Sequence, residues 1–359
     1  MVKKIITSLC LAIVIISMVW AGGAKEKEAE KAQKVSMELR YAHSNVPIYF
    51  YHTAGEAFAK ELDALTDGRL KVKLFPQGQL GGERDVTEGL QLGTIHFQAT
   101  SIGVTGTFIP SVQILNLPFI FIGPKHFMKV MEGSIGQELL KKAQEQGETV
   151  GLKVLSIAAP DFRLPMNNVR PIVTPDDFKG IKMRTMEVPT HMAAYSALGA
   201  SPVPLPFGEL YTALQTKVVD GNENGPLALY GNKFYEVQKY LTLLPVVSNA
   251  GIFLMSKKTW EKLSPADQEA VMKCVNVWTR VMNEDAIRLG GEAIEQMKTA
   301  GVQVNTVKDI TAFVQKVQTV YPSFYNELPE DLRDWARDIV KRIQDAAKGI
   351  EEGDWYAKK

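Results

Sequence analysis

Cysteine is almost absent: Cys10 and Cys274 are the only two in 359 residues. Cys10 falls in the apolar N-terminal segment, so a processed chain keeps Cys274 alone and cannot form an intramolecular disulfide. Stability must therefore come from packing. Net charge is lacking as well, with 41 basic residues against 40 acidic ones, which excludes the basic footprint of a nucleic-acid partner. The five histidines, His43, His52, His96, His126 and His191, are scattered without metal-ligand spacing. There is no Gly-x-Ser-x-Gly elbow, phosphate loop, His-Glu-x-x-His or Cys-x-x-Cys. No catalytic residue, metal or cofactor is assigned, and a secreted enzyme is the weakest of the readings. Gly81-Gly82 precedes Glu83-Arg84, but an acid there would repel a phosphate, and a turn leading into a helix explains the run.

The N-terminus sets the compartment. Lys3 and Lys4 precede the apolar run Ile5–Val19, and Val19-Trp20-Ala21 places a small residue where signal peptidase needs one. The run is shorter than the roughly 20 residues of a spanning helix. Residues 1–21 thus read as a cleaved export signal, with a retained anchor as the alternative, and the destination is periplasmic. Leu9 stands where lipid attachment at Cys10 would want a small residue. Residues 22–35 alternate Lys, Glu, Ala and Gln without a buried face and read as a flexible tether. Loss of Lys3 and Lys4 leaves 39 basic against 40 acidic residues, a mature charge near −1.

A hydrophobic fraction of 45% over this length supports two cores. Strand-like alternation at Met37–Ala42, Arg69–Phe75, Ile95–Ala99, Leu152–Ile157, Ile181–Thr185 and Gly251–Met255 is interleaved with helical patterns. The first helix carries Ala54, Phe58, Leu62 and Leu65 on one face and stops at Asp67-Gly68. This order makes the chain α/β, with parallel pairing. Thr174-Pro175-Asp176-Asp177 and Ser264-Pro265-Ala266-Asp267 each combine a hydroxyl cap, a first-turn proline and acids, marking helix starts. The second pattern runs to about Met297, long enough to cross both lobes. Cys274 lies within it beside Val271, Val275 and Trp278 and reads as a packing residue.

The remaining chemistry suits an anion. Arg184 closes Asp177-Phe178-Lys179-Gly180-Ile181-Lys182-Met183-Arg184 at a predicted strand end, where open α/β sheets present their ligands. Its planar fork of donors matches the two oxygens of a carboxylate, although an arginine taken alone is more often a surface or ion-pair residue.

Pro206-Phe207-Gly208-Glu209-Leu210-Tyr211-Thr212-Ala213-Leu214-Gln215-Thr216, followed by Val218-Val219-Asp220-Gly221-Asn222-Glu223-Asn224, resembles the signature of the DctP family, the solute-binding proteins of tripartite ATP-independent periplasmic (TRAP) transporters. Further blocks agree in order from about Leu39 to the last helix. Among them are Phe75-Pro76-Gln77-Gly78-Gln79-Leu80-Gly81-Gly82-Glu83-Arg84, Leu115–Phe121 and Lys233–Thr242. The resemblance implies a periplasmic-binding-protein fold: two α/β lobes with mixed sheets, crossing strands and a long helix spanning both. On this reading lobe I comprises 36–160 and 250–289, lobe II 161–249 and 290–345, and 346–359 is a C-terminal tail. It implies substrate binding by Arg184 and Arg163 at a carboxylate, Phe207 against the carbon skeleton and Asn224 through its amide. Glu83, Ser101 and Ser44 supply polar edges from the other lobe, and Glu223 is a neighbour of the site or an ion-pair partner. The partners implied are a small-molecule carboxylate and the small and large membrane subunits of a TRAP permease, driven by an ion gradient, with the receptor acting as a monomer. A receptor for an ATP-driven importer or a sensor system is the alternative. Gly225-Pro226-Leu227 stands where many relatives have proline directly, and Leu243-Leu244-Pro245-Val246 where many carry polar groups and a histidine, so the reading expects a more apolar cleft there and a monocarboxylate with an apolar or weakly polar body, as opposed to a heavily hydroxylated sugar acid.

Overall fold

The computed structural model describes residues 37–352. The predicted export signal and tether, and the end of the C-terminal tail, lie outside the described residues. Twelve strands are found among them. The first six in chain order are β1 (Met37–Ala42), β2 (Leu70–Phe75), β3 (Phe97–Ser101), β4 (Leu152–Ala158), β5 (Phe162–Asn167) and β6 (Lys182–Thr185). The others are β7 (Ser201–Pro204), β8 (Gly221–Asn224), β9 (Tyr240–Leu243), β10 (Val247–Ser248), β11 (Gly251–Ser256) and β12 (Gln303–Thr306). They form two sheets, ordered β2-β1-β3-β11-β4 and β12-β9-β5-β8-β6-β7, with β10 on β5.

Each sheet is the centre of one lobe, and each contains a parallel set. In the first, β1 pairs in parallel with β2 and β3, while β11 runs antiparallel to β3 and β4. In the second, β6 pairs in parallel with β7 and β8. Parallel pairs require crossover helices, and the intervening sequence supplies them. Helix Phe50–Leu65, for example, buries Phe50, Tyr51, Ala54, Gly55, Phe58 and Leu62 against the face carrying Leu39, Tyr41 and Phe253.

Helix Pro265–Thr299 is the joint scaffold. Its 35 residues span about 50 Å at 1.5 Å per residue. Ser264 Oγ accepts from the Asp267 amide at 3.2 Å, so the N-terminus is capped as the sequence predicts. Trp278 stacks on Phe253 with centroids 4.6 Å apart and donates to Tyr41 Oη at 3.0 Å; Cys274 is buried in the same first-lobe cluster, and burial pushes its thiol up to about 12. Further along, Ile294 and Met297 enter the second-lobe core with Leu164, Met166 and Leu241.

Two expectations are corrected. Thr174-Pro175-Asp176-Asp177 opens only a single 3-10 turn, Pro175–Phe178, because Gly180 at φ +76° turns the chain out after it. The last helix, Glu330–Ala346, was expected in lobe II but packs on helices Pro124–Glu132 and Ser134–Thr149, the latter lying on β4 of the first sheet. The reason is its apolar stripe of Leu332, Ala336, Ile339, Val340 and Ile343, which finds cover there while Trp335 and Arg342 bond Glu138 at 2.8 Å each. Helix Ile310–Gln318 instead lies on helix Pro189–Ala197 of the second lobe. Besides the long helix, the chain therefore crosses between lobes at the β4–β5 link, at the β10–β11 link and again after Gln318.

Candidate functional site

The parallel strands of both sheets point their carboxyl ends at one cleft, the position where an open α/β sheet leaves backbone and side-chain polar groups free. Ser44 and Asn45 follow β1, Gln77 and Gly78 follow β2, and Ser101 ends β3; from the other lobe come Arg184 on β6, Met186 and Glu187 after it, Leu205–Gly208 after β7, and Asn224 ending β8. These residues line a cavity of about 410 Å³, within the range of small-molecule sites of about 300 to 1,000 Å³. The lobes touch at its rim, where the missing side chain of Gly103 makes room for Met186.

All seven residues proposed as substrate-binding from sequence line this cavity: Arg184, Asn224, Arg163, Phe207, Glu83, Ser101 and Ser44. Phe207 stands edge-on to Phe234, with centroids 5.9 Å apart, which fixes its ring as a wall. Glu83 starts helix Glu83–Leu92 and accepts hydrogen bonds from Ser44 Oγ at 3.1 Å and Ser101 Oγ at 2.6 Å.

The two arginines are placed differently. Arg163, on β5, is 3% exposed and its guanidinium is tied down on three sides. Nε donates to Glu223 Oε2, Nη2 to the Glu223 carbonyl at 2.7 Å and Nη1 to Asn249 Oδ1 at 2.7 Å. Burial works against its charge, but the Glu223 carboxylate outweighs it and keeps Arg163 above its ordinary range. Arg184 is 1% exposed and has no carboxylate in hydrogen-bond contact; Nε and Nη2 both donate to the Leu205 carbonyl, at 2.9 and 2.5 Å. Its Nη1 is buried without a protein partner among the described residues, and so is Asn224 Nδ2. Burial, and then the like charge of Arg163, push the Arg184 guanidinium down to about 10. A cation kept charged under these conditions favours any anion that enters the cleft.

Glu223 lies at the centre of the second sheet between β5 and β6, fully buried, with His191 Nδ1 3.5 Å from its Oε1. Burial alone would raise its carboxyl, yet the Arg163 charge and His191 bring it down to about 2. Burial also holds His191 below its usual range. The pair Arg163–Glu223 is therefore self-neutralising, whereas Arg184 has no carboxylate bonded to it among the described residues and feels Glu223, Glu83 and Glu187 only at longer range.

Sequence reasoning missed Tyr49, Tyr51, Asn45, Gln77, Met186 and Asn249, which also line the cavity. Tyr49 and Tyr51 sit at the start of helix Phe50–Leu65, ahead of the apolar face that the sequence marks, and nothing local to Asn249 distinguishes it from a turn asparagine. The expected apolar wall is corrected as well. Neither Leu227 nor Leu243–Val246 lines the cavity; Leu244 and Val246 are fully buried in the hydrophobic core, because apolar side chains following β9 gain more by entering the lobe than by facing a polar cleft.

Gly225 marks how closely the elements approach behind the site. A Cβ there would lie 1.9 Å from Asp161 Oδ2 and 2.7 Å from Asn249 Nδ2. Its backbone is extended at φ −63°, so the cost of Gly225→Ala is overpacking and not strain. Urea unfolding is expected to register a loss of about 1 to 3 kcal/mol, and an unchanged midpoint would place these side chains further apart than they are here.

The family model for bacterial extracellular solute-binding proteins, family 7 (DctP), matches residues 41–328. A solute-binding protein of Verminephrobacter eiseniae is 37% identical over 269 residues, 75% of this chain and 79% of that one. The 2,3-diketo-L-gulonate-binding periplasmic protein YiaO of Escherichia coli is 31% identical, covering 86% and 92%. Among solved structures, a TRAP periplasmic solute-binding protein of Polaromonas sp. JS666 bound to D-erythronate superposes with a TM-score of 0.80 at 34% identity, covering 88% of this chain and all of that one. The chain belongs to the DctP family of bacterial extracellular solute-binding proteins, the receptors of TRAP transporters.

Proposed function

We propose that this receptor captures a small hydroxylated organic acid in the cleft between its lobes and passes it to the two membrane subunits of a TRAP permease. The observation that carries the reading is that two cavity-lining residues, Arg184 and Asn224, each hold a buried donor, Nη1 and Nδ2, without a protein partner among the described residues. A carboxylate accepts from both and cancels the charge that Arg163 and burial make costly. At the opposite wall Glu83 offers two carboxylate oxygens, Ser44 and Ser101, whose hydroxyl hydrogens go to Glu83, offer acceptor lone pairs, and the Asn45 and Gln77 amides both donate and accept. This polar wall suits hydroxyls on the ligand, as in the 2,3-diketo-L-gulonate of YiaO and the D-erythronate of the Polaromonas protein, and replaces the apolar or weakly polar ligand body expected from sequence.

Capture proceeds by closure, since a ligand held by both lobes favours the state in which they meet. Export through residues 1–21 places the receptor in the periplasm, where it works as a monomer. Thermal shift followed by calorimetry tests the ligand class with aldonates, uronates, dicarboxylates, 2-oxo acids and uncharged sugars. Hydroxylated carboxylates are expected to raise the melting temperature most, and a ligand at 100 times its Kd adds about 2.7 kcal/mol. Uncharged sugars binding as tightly as their acids would overturn the proposal.

A further inference from the structure

We propose that Asn249 is a positioning residue for ligand capture, holding the Arg163 guanidinium at the cleft by tying it to two of the chain crossings between the lobes. This rests on the carboxylate reading above. Asn249 lies in the link between β10 and β11, and Asp161 in the link between β4 and β5. The Asn249 amide N–H of the main chain donates to the Asp161 carbonyl at 2.8 Å. Its side chain then works at both ends: Oδ1 accepts from Arg163 Nη1 at 2.7 Å, and Nδ2 donates to Asp161 Oδ2 at 2.8 Å and to Tyr49 Oη at 3.1 Å. One buried side chain thus joins two interlobe links, a first-lobe tyrosine and a second-lobe arginine that lines the cavity. The job needs an amide, because only a group that accepts from a guanidinium and donates to a carboxylate fits between them. Gly225 leaves the space for it.

The clasp also makes capture sensitive to protonation. Asp161 is faced by Arg163 on β5, by Asn249, and by Tyr49 and Tyr51 at the start of helix Phe50–Leu65; Tyr51 in turn faces Glu83, and Arg163 faces Glu223. Burial raises the Asp161 carboxyl to about 7, with Asn249, the Phe162 amide and Arg163 opposing. When it ionises, a negative charge appears behind Arg163 and disfavours an anion in the cleft. Affinity therefore falls as pH rises through about 7. Removing the Asn249 donor takes away a bond that favours the ionised acid, so the step moves to higher pH.

The test is calorimetry with D-erythronate on the mature chain from about pH 5.5 to about pH 8.5, together with a crystal structure of the ligand-free Asn249→Ala variant. The wild type is expected to weaken several-fold across the range. Asp161→Asn keeps the side-chain shape and should lose that slope. Asn249→Ala should bind about tenfold weaker or worse, titrate at higher pH, and have Arg163 swung from its place. Wild-type affinity in Asn249→Ala, or an unmoved Arg163 in its crystal, overturns the inference; the crystal decides whether or not D-erythronate binds. If Arg184→Ala binds normally the carboxylate reading itself fails, whereas loss in Arg184→Ala with normal binding in Asn249→Ala sinks only the clasp.

Discussion

Arg184→Ala is expected to weaken binding of the carboxylate by ~2 to 5 kcal/mol, roughly 30-fold to several thousand-fold, the cost of truncating one partner of a buried, hydrogen-bonded charge pair. The upper part of that range applies if the bound cleft excludes water, and Arg184 is already 1% exposed in the ligand-free protein. No other group can substitute. Arg163 is oriented by Glu223 and Asn249, and Asn224 offers an uncharged amide. The thermal increment from ligand should vanish along with the affinity, which isothermal calorimetry and melting curves read separately. Arg184→Lys tests geometry: an ammonium on a flexible stem cannot hold the Leu205 carbonyl and also offer a planar fork. Full affinity in the lysine variant would show that charge alone, without the fork, holds the ligand.

Glu223→Gln is expected to have the largest effect on stability, a loss of ~3 to 5 kcal/mol, because it leaves Arg163 buried near the like charge of Arg184 without the carboxylate that keeps it charged. An added carboxylate ligand should restore part of this, so ligand should stabilise the variant more than the wild type. Urea unfolding with and without ligand checks both statements, and a loss below about 1 kcal/mol would mean that the pair contributes little. The pH dependence has a definite sign. Glu223 titrates at about 2 in the fold against an ordinary 4.5, so its stabilisation is complete above pH 4.5 and is lost as pH falls toward 2. Asp161 acts oppositely: its carboxyl is raised from 3.8 to about 7, so the advantage of its neutral form is complete below 3.8 and is gone once pH passes about 7. Glu223→Gln should flatten the acid limb of the stability curve, and Asp161→Asn the neutral limb.

Much of the architecture is legible in the residues. Period-two apolar alternation at Met37–Ala42, the short apolar run at Gly251–Met255, the cap at Ser264 and the apolar periodicity of the long helix are local signals, and local signals survive folding when nothing competes with them. Most of the proposed cavity residues, Arg184, Arg163, Phe207 and Asn224 among them, are singled out by the resemblance to the DctP family, and Ser44 and Ser101 by their place at strand ends. Misreadings arose where tertiary contact outweighed local pattern. Leu243–Val246 looked like an apolar cleft wall but turns into the core, and the last helix went to the lobe that offered its apolar face a partner.

By itself the sequence determined the α/β class and the strand ends that carry polar groups, and its resemblance to the DctP family pointed to two arginines and an amide suited to an acid. Only the tertiary structure decided which arginine is neutralised and which stays free. Glu223 lies 60 residues along the chain from Arg163 and 39 from Arg184, and no spacing rule chooses between them. The pairing of β5 and β6 on either side of β8 does, because a buried charge takes whatever partner the sheet brings within hydrogen-bond reach.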